Sequence, residues 1–236
     1  MEVHHHAHTA QKKWTHYLWE FMMLFLAVFC GFLAEYQLEH KIEKEKGKQY
    51  IRSFAEDLKA DTSNFSSLIK EYEEKKTVLL TMYACHAALL KGDDNNISLK
   101  NLVNQSVYFP DLVYTDRTLL QLKNAGGLRL IPAADADSIT GYDKLLRLYE
   151  RHEETSFQEI QTSLRNTLFS AYNFKTLYDT TNVKVLFADN KESINRYFNQ
   201  LYQYYTGTIA NIEDLTVIRN KAVTLINYFN NKYHLK

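Results

Sequence analysis

The densest group of metal-ligating side chains is at the N-terminus of this 236-residue chain, where His4, His5, His6 and His8 lie close together. Neutral imidazoles bind zinc, copper or nickel, and on a helix His4 and His8 share one face. The alternative is a flexible tail with adventitious affinity, because its few residues offer nothing to orient the rings. We therefore expect no cofactor, with a transition metal at these histidines as the open alternative.

One acidic residue, Glu20, lies within an otherwise apolar segment near the N-terminus. A carboxylate inside a bilayer is costly unless it is paired or close to the interface. His16 lies one helical turn earlier, so the spacing predicts a polar pair between His16 and Glu20. A role for Glu20 as a proton carrier, or a Glu20 that simply extends to the lipid headgroups, remains an alternative.

Small residues follow Glu20 along one stripe of the same predicted helix. Ala27 and Gly31 form a small-x-x-x-small pattern, which lets a second helix approach closely. The sequence thus predicts a transmembrane packing face, and the alternative is a chance arrangement of small residues. The residues of this face are Glu20, Ala27, Gly31 and Ala34.

Two further groups have the residue types of a catalytic or metal site but not the spacing. Cys85 and His86 are adjacent, so on a helix they point about 100° apart and are predicted to pack in the core. The segment 152–154 reads His-Glu-Glu, but Ser156 stands where a zinc-binding helix has its second histidine. We expect a solvated charged face at Arg151–Glu154, and the sequence predicts a chain that is not an enzyme.

The apolar segment has the length of a membrane span. Trp14–Ala34 contains 21 residues, or about 31 Å of helix, against a bilayer core of about 30 Å. Aromatic rings typical of membrane interfaces lie at one end, as Trp14 and Trp19, and at the other as Tyr36. No small-x-small cleavage site ends the segment, so residues 14–36 are predicted as an uncleaved signal anchor rather than a signal peptide.

Charge around the span leaves its orientation open. Basic residues are more numerous after the span than before it, which favours a cytoplasmic C-terminal side. That rule applies to short flanks, whereas domains of about 200 residues translocate largely regardless of charge. We therefore expect residues 1–13 to be a cytoplasmic tail and residues 37–236 an extracytoplasmic domain.

The remainder of the chain has a helical period. Apolar residues from Ile51 to Met82 follow spacings of three, four and seven, as in a coiled coil, although Asp61 and Lys75 interrupt the seam. Three long helices are predicted, with interruptions at three glycines and short helices between the first two. The predicted helices are Glu35–Lys91 with a hinge at Gly47, Ala134–Tyr178 interrupted at Gly141, and Lys191–Lys232 with a kink at Gly207. The short ones are Ser98–Gln105 and a helix capped by Thr115 that ends at Asn124, and Val183–Phe187 is predicted to be a loop.

These elements predict an all-α fold, in which the transmembrane helix continues into an elongated antiparallel bundle of three long helices plus short helices. Seven glycines and two prolines are too few for the turns of an all-β domain. The 28 basic and 28 acidic residues cancel, which argues against a nucleic-acid partner.

Two segments resemble a known group of proteins. The first is the opening MEVHHHAHTAQKKWTHYLWEFMMLFLAVFCGFLAEYQLEHKIEKEK, and the second is the stretch Thr118–Ile131, TLLQLKNAGGLRLI. Both resemble a family of uncharacterised single-pass membrane proteins from Bacteroidetes-type bacteria. The resemblance implies the class of the chain and its placement in a bacterial inner membrane, with the C-terminal domain in the periplasm. It also implies that the histidines are native, and it carries no activity.

The sequence favours a non-enzymatic membrane protein that acts as a structural or accessory subunit. Its predicted partners are membrane lipid and either further copies of the chain or another membrane protein. The alternative is an extracytoplasmic ligand-binding or sensor module, because helical bundles can hold small ligands between their helices. Such a module would have to signal through a partner protein, since about 13 cytoplasmic residues are too few for a signalling domain.

Overall fold

The computed structural model describes residues 14–91, 97–172 and 191–235. This part of the chain is almost wholly helical and contains no strand, so the all-α prediction is confirmed. A 3₁₀ turn at Gly127–Leu130 and a π-helical turn at Glu153–Phe157 connect some of the helices. The helices are α1 Trp14–Ala84, α2 His86–Leu89, α3 Ile97–Ser106, α4 Arg117–Asn124, α5 Ala133–His152, α6 Gln158–Ala171 and α7 Lys191–Tyr233.

Helix α1 has two parts with different surroundings. From Trp14 to Lys46 its side chains are exposed, apart from a half-buried Glu43, and we call this part the projection. From Gly47 onwards one face is buried at the three- and four-residue spacing expected from the sequence, for example at Ile51, Phe54 and Leu58. We call the packed helices from Gly47 onwards the helical domain. The predicted helix end at Lys91 is slightly late, because α1 stops at Ala84 and the short α2 follows.

The expected hinge at Gly47 is wrong, since α1 continues through this residue without a break. Gly47 instead allows a close approach between α1 and the 3₁₀ turn. A Cβ atom built on Gly47 would collide with the Leu130 carbonyl oxygen and lie 3.0 Å from its carbon. The glycine thus marks the point where the helical domain begins, and it is required by packing rather than by flexibility.

The second predicted long helix is divided into two. Helix α5 continues through Gly141, where an interruption was expected, and the π-turn then separates it from α6. Helix α6 ends at Ala171, because Tyr172 has an extended backbone with ψ of 144°. The rest of the predicted helix, to Tyr178, and the predicted loop Val183–Phe187 lie outside the described residues.

Helix α7 matches its prediction to within one residue at its C-terminal end. It runs unbroken through Gly207, where a kink was expected. A Cβ atom on Gly207 would lie 3.0 Å from the Phe157 ring, so this glycine makes room for the aromatic side chain that ends the π-turn. Phe157 and Gly207 therefore form a close contact between the π-turn and α7.

Aromatic pairs show how α1 and α7 are aligned. Near the projection, the rings of Phe54 and Phe229 have centroids 6.2 Å apart, whereas at the far end those of Tyr83 and Phe198 are 6.1 Å apart. Residue numbers rise along one helix as they fall along the other, so the two helices run in opposite directions. Their contact is the most extensive in the described part of the chain, and it brings Tyr233 back towards the projection.

Candidate functional sites

The projection exposes an apolar surface on every side. Its side chains are exposed throughout, apart from a half-buried Glu43, and those of Trp14 and Phe32 are 79% and 68% exposed. An 18-residue window here has a mean hydropathy of 1.9, and none of it is buried. By length and composition, α1 contains one segment able to cross a membrane.

The predicted polar pair comes together in the projection. His16 Nε2 lies 3.1 Å from Glu20 Oε1, one helical turn apart, and both side chains are about half exposed. Mutual pairing reduces the cost of placing either group near a bilayer interface. The geometry is that of a local i, i+4 contact, so it requires no other part of the chain.

The small-residue stripe is open along the projection. Ala27 and Ala34 are exposed, and no atom comes within 4 Å of a Cβ built on Gly31. The rings of Phe21, Phe25 and Phe29 stack into a ridge, with centroids 6.3 and 5.9 Å apart. Because Phe25 and Ala27 are two residues apart, the ridge lies roughly opposite the stripe. One face of the projection is therefore lined by small residues, and the opposite face carries a ridge of aromatic rings.

The N-terminal histidines His4, His5, His6 and His8 lie outside the described residues, so a metal site there stays a prediction. Within ranges 14–91, 97–172 and 191–235, no group of three or more His, Cys, Asp or Glu side chains is arranged to hold a metal ion.

In the helical domain, Asp57 of α1 caps the N-terminus of α4. Its Oδ2 accepts a hydrogen bond from the Thr118 N–H at 3.1 Å, and its Oδ1 lies 2.9 Å from Arg117 Nη2. The expected cap, Thr115, is wrong, since α4 begins at Arg117 and its flanking residue Asp116 makes no side-chain cap. A carboxylate from another helix satisfies the first turn of α4 instead.

Asp61, one turn further along α1, explains one of the two interruptions of the apolar seam. It is buried, and its Oδ1 accepts the Thr115 N–H at 2.7 Å. Burial raises the pKa of Asp61 from 3.8 to about 6, although the Thr115 hydrogen bond lowers it and the nearby Asp57 and Asp116 raise it further. Asp61 therefore fixes the segment before α4, although the burial of its charge is unfavourable.

Lys75 explains the other interruption. Its ammonium group donates to the Gln105 carbonyl oxygen in the last turn of α3. Burial lowers the pKa of Lys75 to about 8, because the charged form loses its hydration. A cation at a helix C-terminus is the favourable counterpart of the anion at the N-terminus of α4. The polar seam of α1 thus fixes the ends of two short helices.

A further polar cluster was not expected from the sequence. Asp135, in the first turn of α5, is fully buried and accepts hydrogen bonds from three residues of the last turns of α7. Tyr228 Oη and Lys232 Nζ lie 2.7 and 2.6 Å from Oδ1, and the Tyr233 hydroxyl donates to Oδ2. Burial raises the pKa of Asp135, but the hydrogen bonds from Lys232, Tyr233 and Tyr228 outweigh it, so the pKa falls.

Cys85 and His86 were predicted to pack in the core, but both are half buried at its edge. The His86 ring stacks on Phe198 with centroids 4.4 Å apart, and its Nε2 lies 2.8 Å from Asn195 Oδ1. Burial raises the pKa of the Cys85 thiol, which disfavours the nucleophilic thiolate. The pair is arranged as part of the packed end of the helical domain, not as a nucleophile and its base.

The predicted charged face at Arg151–Glu154 is mostly exposed, as expected for Arg151, His152 and Glu154. Glu153, which begins the π-turn, is half buried rather than solvated. Burial raises the pKa of Glu153, and the carboxylates of Glu154, Asp111 and Glu150 raise it further. Negative charge therefore accumulates around this turn.

Comparison with known proteins finds no family model, no curated protein and no solved structure that matches this chain. The resemblance of the two segments to a Bacteroidetes-type membrane protein family therefore stays a prediction.

Proposed function

We propose that the chain is a single-pass membrane protein without catalytic activity of its own, which acts as a structural or accessory subunit of a membrane complex. In this proposal residues 14–36 cross a bacterial inner membrane. Residues 1–13 are cytoplasmic, and residues 37–236 form a periplasmic domain.

The exposed projection is the observation that carries this proposal. Large contiguous apolar surfaces on folded proteins are normally covered by lipid or by another protein. Residues 14–36 are long enough for about 34 Å of helix, which is sufficient for a bilayer core of about 30 Å. A core helix of a soluble protein would pass the same test of composition, but its apolar window would be buried, and here none of it is.

The continuity of α1 supports a role in assembly. The helix that carries the open stripe of Ala27, Gly31 and Ala34 is also the helix around which the helical domain is packed. A neighbour that packs on the stripe would therefore hold the domain in a defined orientation. That neighbour is a second copy of this chain or another membrane protein.

Anchoring is tested by the intact mass of the chain extracted from membranes. We expect residues 1–36 to be retained, and the chain to resist extraction by alkaline carbonate. A signal peptide would be removed, so a mature chain that begins after the apolar segment would overturn the anchor. A reporter after Lys236 that is active only in the cytoplasm would overturn the orientation.

Assembly is tested by Gly31→Leu, because a leucine on the stripe prevents the close approach of a second helix. The matched control is Cys30→Leu, which adds bulk about 100° away on the same helix. We expect the wild-type chain and Cys30→Leu to share one native mass in mild detergent, and Gly31→Leu to have a lower one. An unchanged mass for Gly31→Leu would contradict assembly through this face.

A second candidate function is a ligand-binding or sensor module that acts through a partner protein. One specific observation favours it, a groove of about 320 Å³ between α5 and α7.

A further inference from the structure

The groove between α5 and α7 has the size of a small-molecule site. Its volume of about 320 Å³ is at the lower end of the range for ligand pockets. Apolar side chains from both helices form its walls, and two of them, Leu148 and Val217, are 59% and 55% exposed. The four apolar wall residues are Leu145, Leu148, Val217 and Ile218.

Three polar residues complete the lining and lie among these walls. Asp214 and His152 are exposed on α7 and α5, while Tyr149 also lines the groove but is buried. On α7, Asn211, Asp214 and Ile218 follow at intervals of three and four residues. They therefore lie on one stripe, which leads from the core to the groove.

Buried polar atoms without partners lie behind the groove. The Tyr149 hydroxyl and both polar atoms of the Asn211 amide form no hydrogen bond with the described residues, although both side chains are buried. The Tyr72 hydroxyl from α1 interacts with both groups on the core side of the groove. These polar atoms are closed to solvent, so a ligand in the groove would not reach them, and ordered water is their expected further partner.

The π-turn lies next to the groove along the helical domain. It begins directly after His152, and α-helices that contain such turns often have them at functional sites. The turn places Glu153 half buried, where its carboxylate and that of Asp214 both act on the Tyr149 hydroxyl and raise its pKa, in addition to the larger effect of burial. The charges that surround Tyr149 are therefore negative.

We propose that this groove binds a small organic cation that consists of an ammonium group on an apolar body. The apolar body packs between the walls of α5 and α7. The ammonium group lies beside Asp214 and the Tyr149 ring, where it gains an ion pair and a cation–π contact. This site lies wholly in the helical domain, so it is independent of membrane anchoring and of assembly through the projection.

The test uses the full chain in mild non-ionic detergent and phenethylammonium as the probe, with calorimetric titration as the readout. The neutral probe 2-phenylethanol has nearly the same shape but lacks the charge. We expect saturable binding of the cation. The affinity for the neutral probe should be lower by a factor of at least about ten. Asp214→Asn should weaken binding of the cation about tenfold. The matched control Glu213→Gln removes an exposed charge from the adjacent position of α7, and we expect it to leave the affinity unchanged.

A second variant tests the location without changing charge. Val217→Trp places a bulky ring at an exposed wall position, so it should fill the groove and abolish binding while the far-UV circular dichroism stays that of a folded helical protein. Three results would overturn the proposal. These are no saturable binding of phenethylammonium up to about 10 mM, equal affinity for the two probes, and equal effects of Asp214→Asn and Glu213→Gln. If phenethylammonium shows no saturable binding, ordered water remains the expected partner of the Asn211 amide.

Discussion

Replacing Asp61 by asparagine should stabilise the helical domain at neutral pH, although it removes a side chain that forms a hydrogen bond. The asparagine carbonyl can still accept the Thr115 N–H, which lies 2.7 Å from Asp61 Oδ1. What the substitution removes is the buried negative charge, close to the carboxylates of Asp57 and Asp116. We therefore expect the free energy of unfolding to rise.

The magnitude follows from the pKa of Asp61. Its value of about 6 in the folded chain, against an ordinary 3.8, is a difference of about two units, or about 3 kcal/mol. Water penetration and relaxation screen part of this, so a gain of about 1 to 2 kcal/mol is expected at pH 7. The folded chain binds this proton more tightly than the unfolded chain. The Asp61 contribution to stability is therefore present at low pH and is lost as the pH rises from about 4 to about 6.

The assay is urea denaturation of the full chain in non-ionic detergent, followed by far-UV circular dichroism at pH 7 and at pH 4. The difference between Asp61→Asn and the wild type isolates Asp61, since the other groups titrate in both chains. We expect this difference to be large at pH 7 and to shrink towards zero near pH 4.

The control is Asp57→Asn, the same change one helical turn earlier. Asp57 pairs with Arg117 and caps α4 through the Thr118 N–H, so its loss should lower the free energy of unfolding by about 1 kcal/mol at pH 7. The two substitutions should thus have opposite signs. A destabilising Asp61→Asn at pH 7, or an effect independent of pH, would refute the reasoning.

Three further predictions concern other positions. Gly47→Ala should lower the free energy of unfolding by about 2 kcal/mol, because the added Cβ collides with the Leu130 carbonyl group. Gly141→Ala should raise it by about 0.5 to 1 kcal/mol, because the added Cβ points into open space. Both values are measured in the same urea assay. Asp135→Asn should cost about 2 kcal/mol at pH 7 and less below about pH 4, because a lowered pKa adds stability that disappears on protonation; a constant difference would contradict this. In a Cys30→Ser background, Cys85 should react with iodoacetamide at pH 8 several-fold more slowly than free cysteine, as followed by mass spectrometry.

The sequence predicts the long helices well because their signal is local. Helix α7 has an apolar residue at every third or fourth position from Ile194 to Phe229, and Gly207 alone does not end such a pattern. The pair of His16 and Glu20 is equally local, since its geometry depends on one turn of helix. The expected hinge at Gly47 and the expected kink at Gly207 were both wrong for the same reason. A glycine that permits a close approach looks, in sequence, the same as one that permits a bend.

The position of the π-turn follows from packing and not from the spacing of apolar residues. Tyr149 and Phe157 are both buried, yet eight residues of ideal α-helix turn by about 800°, which leaves them about 80° apart. The wider turn of the π-helix removes most of this offset and returns Phe157 to the buried face. An apolar spacing of eight is also usual in an unbroken amphipathic helix, so the sequence alone does not predict this turn.

The polar clusters could not be assigned in the same way, because their partners are distant in the chain. Asp61 and Lys75 are visible as interruptions of an apolar seam, but they bond to backbone groups of residues 115 and 105, whose positions depend on the packed structure. Asp135 lies more than 90 residues from the three α7 side chains that surround it. The periodic pattern identifies which positions are buried, and it does not identify which buried polar groups meet.

Helix α1 links these observations. Its apolar face organises the helical domain, its polar residues Asp57 and Lys75 fix the ends of α4 and α3, and its projection carries the open stripe. Since no break separates these parts, a rotation of the projection about its axis would also rotate the positions of Asp57 and Lys75, and the short helices with them. The Asp135 cluster fastens the end of α7 to α5 at the same end of the domain as Gly47, so the domain is held together where the projection leaves it. Under the proposed function, this continuity transmits an orientation chosen within the membrane to the helices outside it.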